Sequence, residues 1–164
     1  ERLHIRKPTF SKSELIDYLA RMNPEHRARC VIHQHHELVE SFALAAAHLN
    51  ELSRRAVNEV PEGACTTSVH TQEDARSLVG YEYAFMSPIF PSISKAHYVP
   101  KYTEDALREI VAKASVPLCA LGGICKEKLP TVSEMGFSHV ALCGAIWNAK
   151  DPIREWTMTQ ESWQ

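Results

Sequence analysis

Glycine is scarce in this chain, six residues among 164, and none of them builds Gly-x-Gly-x-x-Gly. The turn after the first apolar run reads Arg6-Lys7-Pro8 instead, so the dinucleotide fingerprint of a Rossmann sheet is absent. Paired Cys-x-x-Cys spacing is also missing. The five cysteines, Cys30, Cys65, Cys119, Cys125 and Cys143, lie mostly inside apolar runs, the pattern of reduced thiols in a cytoplasmic protein. No apolar stretch approaches the ~20 residues of a membrane span, and no signal-peptide pattern is visible. A block of basic residues is lacking too. With a formal net charge of −2, the composition argues against nucleic acid as the main partner.

What is present is an ordinary hydrophobic share, 45%, spread evenly enough to predict one domain over residues 1–164 with a real core. Short apolar runs alternate with amphipathic segments. Strands are expected at residues 3–5, 30–32, 46–49, 64–69, 83–86, 116–121 and 139–143. Between them, Ser11-Lys12-Ser13-Glu14 is a capping box opening a helix with Leu15, Leu19 and Met22 on one face, ended by Asn23-Pro24. Thr71 to Asp74 caps a helix carrying Ala75, Leu78 and Val79, and Thr103 starts another with Leu107, Ile110, Val111 and Ala114. A helix over residues 126–135 stops at Gly136, and Asp151-Pro152 opens the last one. Trp147, Trp156 and Trp163 are read as packing of that last helix or as a subunit interface.

Seven non-alternating strands, each followed by helical sequence, predict a parallel sheet covered by helices and hence an α/β fold. The glycine-rich turns come late, at Leu121-Gly122-Gly123-Ile124 and Cys143-Gly144. Barrels build phosphate sites from the loops after their last strands, so a TIM (β/α)8 barrel is favoured over an open sheet. A barrel needs eight strands, and the expectation is that the first strand and helix are absent from this chain.

Each chemical candidate has an ordinary alternative. Gly122 and Gly123 let backbone N–H groups approach a phosphate, or simply form a tight turn. Arg6, at the end of the first strand, offers a guanidinium fork to phosphate oxygens or a surface ion pair, and His4 shares its face at period two. The segment "MSPIFPSISK" leaves a buried strand through two prolines and presents Ser92, Ser94 and Lys95, as ligand groups or as a solvated loop. His70 suits general acid–base work or a helix entry. His33, His35 and His36 form "HQHH", either a structural zinc set with His33 and His35 on one face, or polar loop residues.

In order along the chain, "LHIRKP", "CVIHQHHELVES", "AAAHLN", "TTSVHTQEDA", "YAFMSPIFPSISK", "VPLCALGGI" and "GFSHVALCGAIW" resemble the thiamine phosphate synthase family, including its thiazole tautomerase relatives. The family fold is the (β/α)8 barrel. The resemblance implies that Arg6 belongs to the pyrophosphate-binding motif Gln-x-Arg-x-Lys, with His4 where glutamine is usual and Pro8 where lysine is usual. It likewise implies Ser92 and Ser94 as thiazole contacts and Lys95 as a pyrophosphate contact. Gly122, Gly123, Cys143 and Gly144 correspond to the backbone cradle for thiazole phosphate, and Ser68 to a pyrophosphate-contacting serine. Magnesium is the implied cofactor. Its usual acids are replaced by His33-Gln34 and Ser53, so the metal ligands stay unassigned.

The implied reaction joins hydroxymethylpyrimidine diphosphate to thiazole phosphate with release of pyrophosphate. Arg6 and Lys95 would stabilise the departing charge, with His4 and His70 as further catalytic candidates. The alternatives are a proton shift on thiazole phosphate, for which the branch's usual histidine falls at Pro88, and a non-catalytic phosphate-ligand binder. The expected partners are small phosphorylated molecules and, by resemblance, a second copy of the chain.

Overall fold

A computed structural model of the chain describes residues 1–57, 59–60, 63–91 and 100–163. The chain divides into two compact units, Glu1–Thr67 with Gly80–Glu82, and Ser68–Val79 with Tyr83–Gln164. In both, strands are parallel and follow one another in chain order, with helices as the connections.

The first unit opens with β1 (Leu3–Ile5) and α1 (Lys12–Ala20). The expected capping box is formed: Ser11 accepts from the Glu14 amide, and the Glu14 carboxylate accepts from the Ser11 amide at 2.7 Å. Leu15 and Leu19 turn inward and are almost fully buried. The helix ends at Ala20, earlier than Asn23-Pro24 suggests. Asn23 does not stop α1; its side chain accepts from the Glu25 amide and caps the single turn α2 (Pro24–Arg27). Then come β2 (Cys30–Ile32), α3 (Leu38–Ser41), β3 (Ala46–Leu49), α4 (Glu51–Ala56) and β4 (Cys65–Val69). Register is fixed by Ile5 beside Ile32, Ile32 beside Ala47, and Ala47 beside Cys65. One face of these strands places Ile5, Cys30 and Ile32 against Leu15, Leu19, Leu38 and Leu44, a single apolar cluster. Each fully buried aliphatic side chain there contributes about 1.5–3 kcal/mol.

The second unit holds α5 (Gln72–Ser77), β5 (Ala84–Met86), α6 (Glu104–Ala112), β6 (Leu118–Leu121), α7 (Leu129–Glu134), β7 (His139–Ala141), α8 (Gly144–Trp147) and α9 (Pro152–Ser162). Thr71, Thr103 and Asp151 all cap the helices they were expected to open. The helix of α5 is shorter than its sequence implies, and Val79 is exposed rather than packed. The Ser115 hydroxyl lies within hydrogen-bond distance of the Ala75 and Leu78 carbonyls, at 3.2 and 2.7 Å, and ties off the last turn. Residues 126–128 form a 3-10 turn before α7, and Gly136 ends α7 at φ +87° as a left-handed cap. Trp147 is 71% exposed, so most of its ring stays outside any packing on the final helix. Among the described residues no helix is long and apolar enough to cross a membrane. All five cysteines are free, and burial pushes the Cys119 thiol up to about 12, far from reactivity.

Candidate functional site

Strand register brings three histidines of the first unit together. His4 pairs with Val31 across β1 and β2, and Val31 pairs with Ala46 across β2 and β3. Two residues further along, on the same face, stand His33 and His48. The His33 amide donates to the Ile5 carbonyl at 3.2 Å, so the parallel ladder continues past the end of β2 and holds that face. The His33 and His48 rings stack with centroids 4.1 Å apart, and both meet the His4 ring edge-on. His4 Nδ1 and His33 Nε2 are 3.0 Å apart and share one hydrogen. His48 is 2% exposed, and its Nδ1 lies 2.9 Å from the Thr66 hydroxyl. That hydroxyl donates to the Ala47 carbonyl, so it accepts from His48 Nδ1–H.

Burial depresses all three imidazoles. His4 is lowered to about 3 by burial, His33 and Arg2; His33 to about 4 by burial, Arg6 and His36; His48 to about 2 by burial, His33, His4 and His36. At neutral pH the trio is uncharged. His4 thus points inward as its strand position implies. Arg6, one residue past β1, is exposed, with its charge felt by His33.

The "HQHH" segment folds differently from its expected extended form. His35 has φ +54°, which breaks the period-two alternation, and its ring lies 3.9 Å from the Glu37 carboxylate. His33 and His35 therefore do not share a face. The partner of His33 is instead His48, which the sequence reading passed over inside "AAAHLN". His4, His33 and His48 occupy one parity on three successive strands, and that was the available signal. Gln34 fills its own amide nitrogen by donating to the Lys7 and Phe10 carbonyls at 2.6 and 3.2 Å.

In the second unit the glycine turn meets the segment that leaves β5. The Ile89 amide donates to the Leu121 carbonyl and the Phe90 amide to the Gly122 carbonyl, both at 3.0 Å. Gly122 and Gly123 have φ of +98° and +66°. A Cβ on Gly123 would stand 2.7 Å from the Phe90 Cβ and 2.9 Å from its carbonyl carbon. The close approach that needs glycine is thus made by the chain itself, a clamp between two strand exits. Ser92, Ser94 and Lys95, just beyond this clamp, lie outside the described residues. The Lys128 ammonium sits 4.2 Å over the Phe90 ring.

Ser68 is half-buried within β4, and His70 follows that strand. His70 Nδ1 donates to the Ser87 carbonyl at 2.8 Å, which fixes the hydrogen on Nδ1 and leaves the lone pair on Nε2. Cys143 is exposed directly before α8, and Gly144 is the first residue of that short helix. Because Leu121 pairs with Ala141, both lie at strand exits adjacent to Gly122-Gly123.

A family model described as thiamine monophosphate synthase matches residues 3–146. A thiamine-phosphate synthase of Levilactobacillus brevis is 33% identical over 88 residues, 54% of this chain and 40% of that protein. One from Shouchella clausii is 24% identical over 158 residues, 91% of this chain and 76% of that protein. The chain spans about half or less of the curated relatives it matches first, 40% and 48% for the first two. Among solved structures, the thiamine phosphate pyrophosphorylase of Bacteroides thetaiotaomicron superposes with a TM-score of 0.80 at 27% identity, covering 98% of this chain and 83% of that one. A 3-hexulose-6-phosphate synthase shares the fold alone, with a TM-score of 0.67 at 15% identity. The α/β fold is of the TIM-barrel class. A match that runs from β1 into α8, through the histidine face and the glycine clamp alike, makes this chain a member of the thiamine monophosphate synthase family.

Proposed function

We propose that the protein acts in thiamine biosynthesis as a transferase, joining hydroxymethylpyrimidine diphosphate to thiazole phosphate. The supporting observation is the clamp of Ile89 and Phe90 on Leu121 and Gly122. It fixes the backbone from which Ser92, Ser94 and Lys95 continue, next to the turn that corresponds to the family's phosphate cradle. In this reading the carbon–oxygen bond to pyrophosphate breaks, the pyrimidine methyl carbon becomes cationic, and the thiazole nitrogen forms the new carbon–nitrogen bond. Arg6 and Lys95 stabilise the leaving pyrophosphate, with Ser68 as a further contact. Gly122, Gly123, Cys143 and Gly144 hold the thiazole phosphate. For the alternative proton shift on thiazole phosphate, His70, with its lone pair on Nε2 at a strand exit, is the acid–base candidate.

Magnesium does not fit the side chains present. It demands hard oxygen donors. Gln34 and Ser53 offer only neutral oxygens where the family's usual acids would stand, and among the described residues the groups that converge are imidazoles. No step is therefore assigned to it. The substrates are small phosphorylated molecules handled in the cytoplasm, in keeping with five free thiols, and a homodimer is the family-like assembly.

The test is turnover of the full-length protein with both substrates, read as thiamine phosphate and pyrophosphate formed in equal amounts. Formation of neither, with proton exchange on thiazole phosphate, would replace this reading by the tautomerase. Binding of thiazole phosphate without either reaction would leave only a binder.

A further inference from the structure

We propose that His4, His33 and His48 form a binding site for a transition-metal ion of the zinc class. One ring nitrogen from each lies within 4.8 Å of the other two. Zinc–nitrogen bonds of ~2.05 Å place the ligands of a tetrahedral ion ~3.3 Å apart, so the closest pair here, 3.0 Å, already has the required spacing. The remaining nitrogens, within 4.8 Å, close in when the stacked His33 and His48 rings tilt apart around the ion.

One ring is already held for the task. Thr66 takes the Nδ1 hydrogen of His48 and so directs the Nε2 lone pair away from β4. A fixed second partner of this kind is the usual support of a ligating histidine. The hydrogen shared by His4 Nδ1 and His33 Nε2 occupies the place a metal would take between two lone pairs. His36 supplies a second observation. Its Nε2 is buried without a hydrogen-bond partner among the described residues, and it lies near enough to act on both His33 and His48. A buried ring nitrogen left unsatisfied is destabilising, and a nearby ion or its bound water would offset that.

Donor chemistry selects the metal. Three neutral imidazoles, with no carboxylate converging on them among the described residues, favour zinc, cobalt, nickel or copper over magnesium or calcium. Burial keeps the rings in the neutral, ligating form at pH 7. Arg2 and Arg6 oppose a dication, but both are exposed, and Arg2 is paired with Glu82 at 3.4 Å. Solvent screening leaves their repulsion small beside three metal–nitrogen bonds. An ion held by three protein nitrogens keeps a fourth position open for water or a phosphate oxygen.

The experiment uses the chelator-stripped full-length protein and metal alone, so it stands or falls independently of the transferase reading. Zinc binding is measured by competition with a chromogenic chelator, and cobalt substitution is followed by its visible absorption. One equivalent of zinc is expected, with intense tetrahedral cobalt bands and no thiolate charge-transfer band. The His33→Asn variant, at a half-buried ring, weakens zinc by about 100-fold, and Thr66→Val, acting only through His48, by about 10-fold. His139→Asn, at an exposed ring, changes nothing. Circular dichroism confirms that each variant is folded, and His4→Gln repeats the test should His33→Asn fail to fold. Zinc affinity unchanged in a folded His33→Asn or His4→Gln variant, a cobalt–thiolate band, or magnesium competing at equal concentration would overturn the proposal.

Discussion

Lowering the pH should unfold the metal-free protein through its histidine face, at a pH where most proteins remain stable. The ordinary value of 6.5 for His4, His33 and His48 falls to about 3, 4 and 2 in the folded chain. The unfolded chain therefore binds more protons than the folded one everywhere between pH 6.5 and those values. Stability is complete above 6.5 and is lost progressively as pH falls below it. At about pH 5 each unfolded histidine gains about 2 kcal/mol from protonation that its folded counterpart cannot, about 6 kcal/mol for three. That rivals the whole stability of a typical domain, about 5–15 kcal/mol. The assay is urea unfolding in chelator from pH 8 to pH 5. With a slope of about 2 kcal/mol per molar, the midpoint should fall by about 3 M. The double variant His4→Gln, His33→Asn should retain about one third of that pH dependence. Midpoints that stay level to pH 5, or a double variant as acid-sensitive as the parent, would refute the reasoning.

Gly123→Ala should lose about 2–3 kcal/mol in urea unfolding, since its methyl group meets the Phe90 backbone and its positive φ strains any side chain. An unchanged midpoint would dissolve the clamp between the two strand exits. Arg6→Ala should leave stability within about 0.5 kcal/mol, because the side chain is exposed, while lowering kcat/KM by about 100-fold if the proposed role on the leaving group holds. His70→Asn keeps a donor for the Ser87 carbonyl but removes Nε2; stability should hold, and proton exchange on thiazole phosphate should fall by about 100-fold. Ser11→Ala removes the hydroxyl that accepts from the Glu14 amide, while the residue 11 amide keeps its bond to the Glu14 carboxylate, and should cost about 1 kcal/mol in thermal or urea unfolding.

Local signals were the legible ones. Cys30–Ile32 could be read to the residue because a continuous apolar run bounded by polar sequence has one good solution in a parallel sheet, whereas Ala46–Leu49, inside a longer apolar stretch, was only approximately placed. Ser11, Thr71, Thr103, Asp151 and Gly136 announced helix ends because a cap is a contact within four residues. α3 and α8, at four residues each, were invisible, being too short to display a period. His48 was missed for a different reason. Its meeting with His4 depends on the register of three strands, and only pairing, never spacing along one strand, supplies that. The early stop of α5 likewise came from Ser115, nearly forty residues away.

Gln34 has an evolutionary consequence. A carboxylate at that position is what the family resemblance leads one to expect, and a single reversion to aspartate looks simple. Here, however, the side-chain amide has become a strut between the Lys7 and Phe10 carbonyls in the loop after β1. Aspartate would forfeit both bonds and set a negative charge against two carbonyl dipoles. The substitution is thereby entrenched: the loop after β1 has to change before the acid can return.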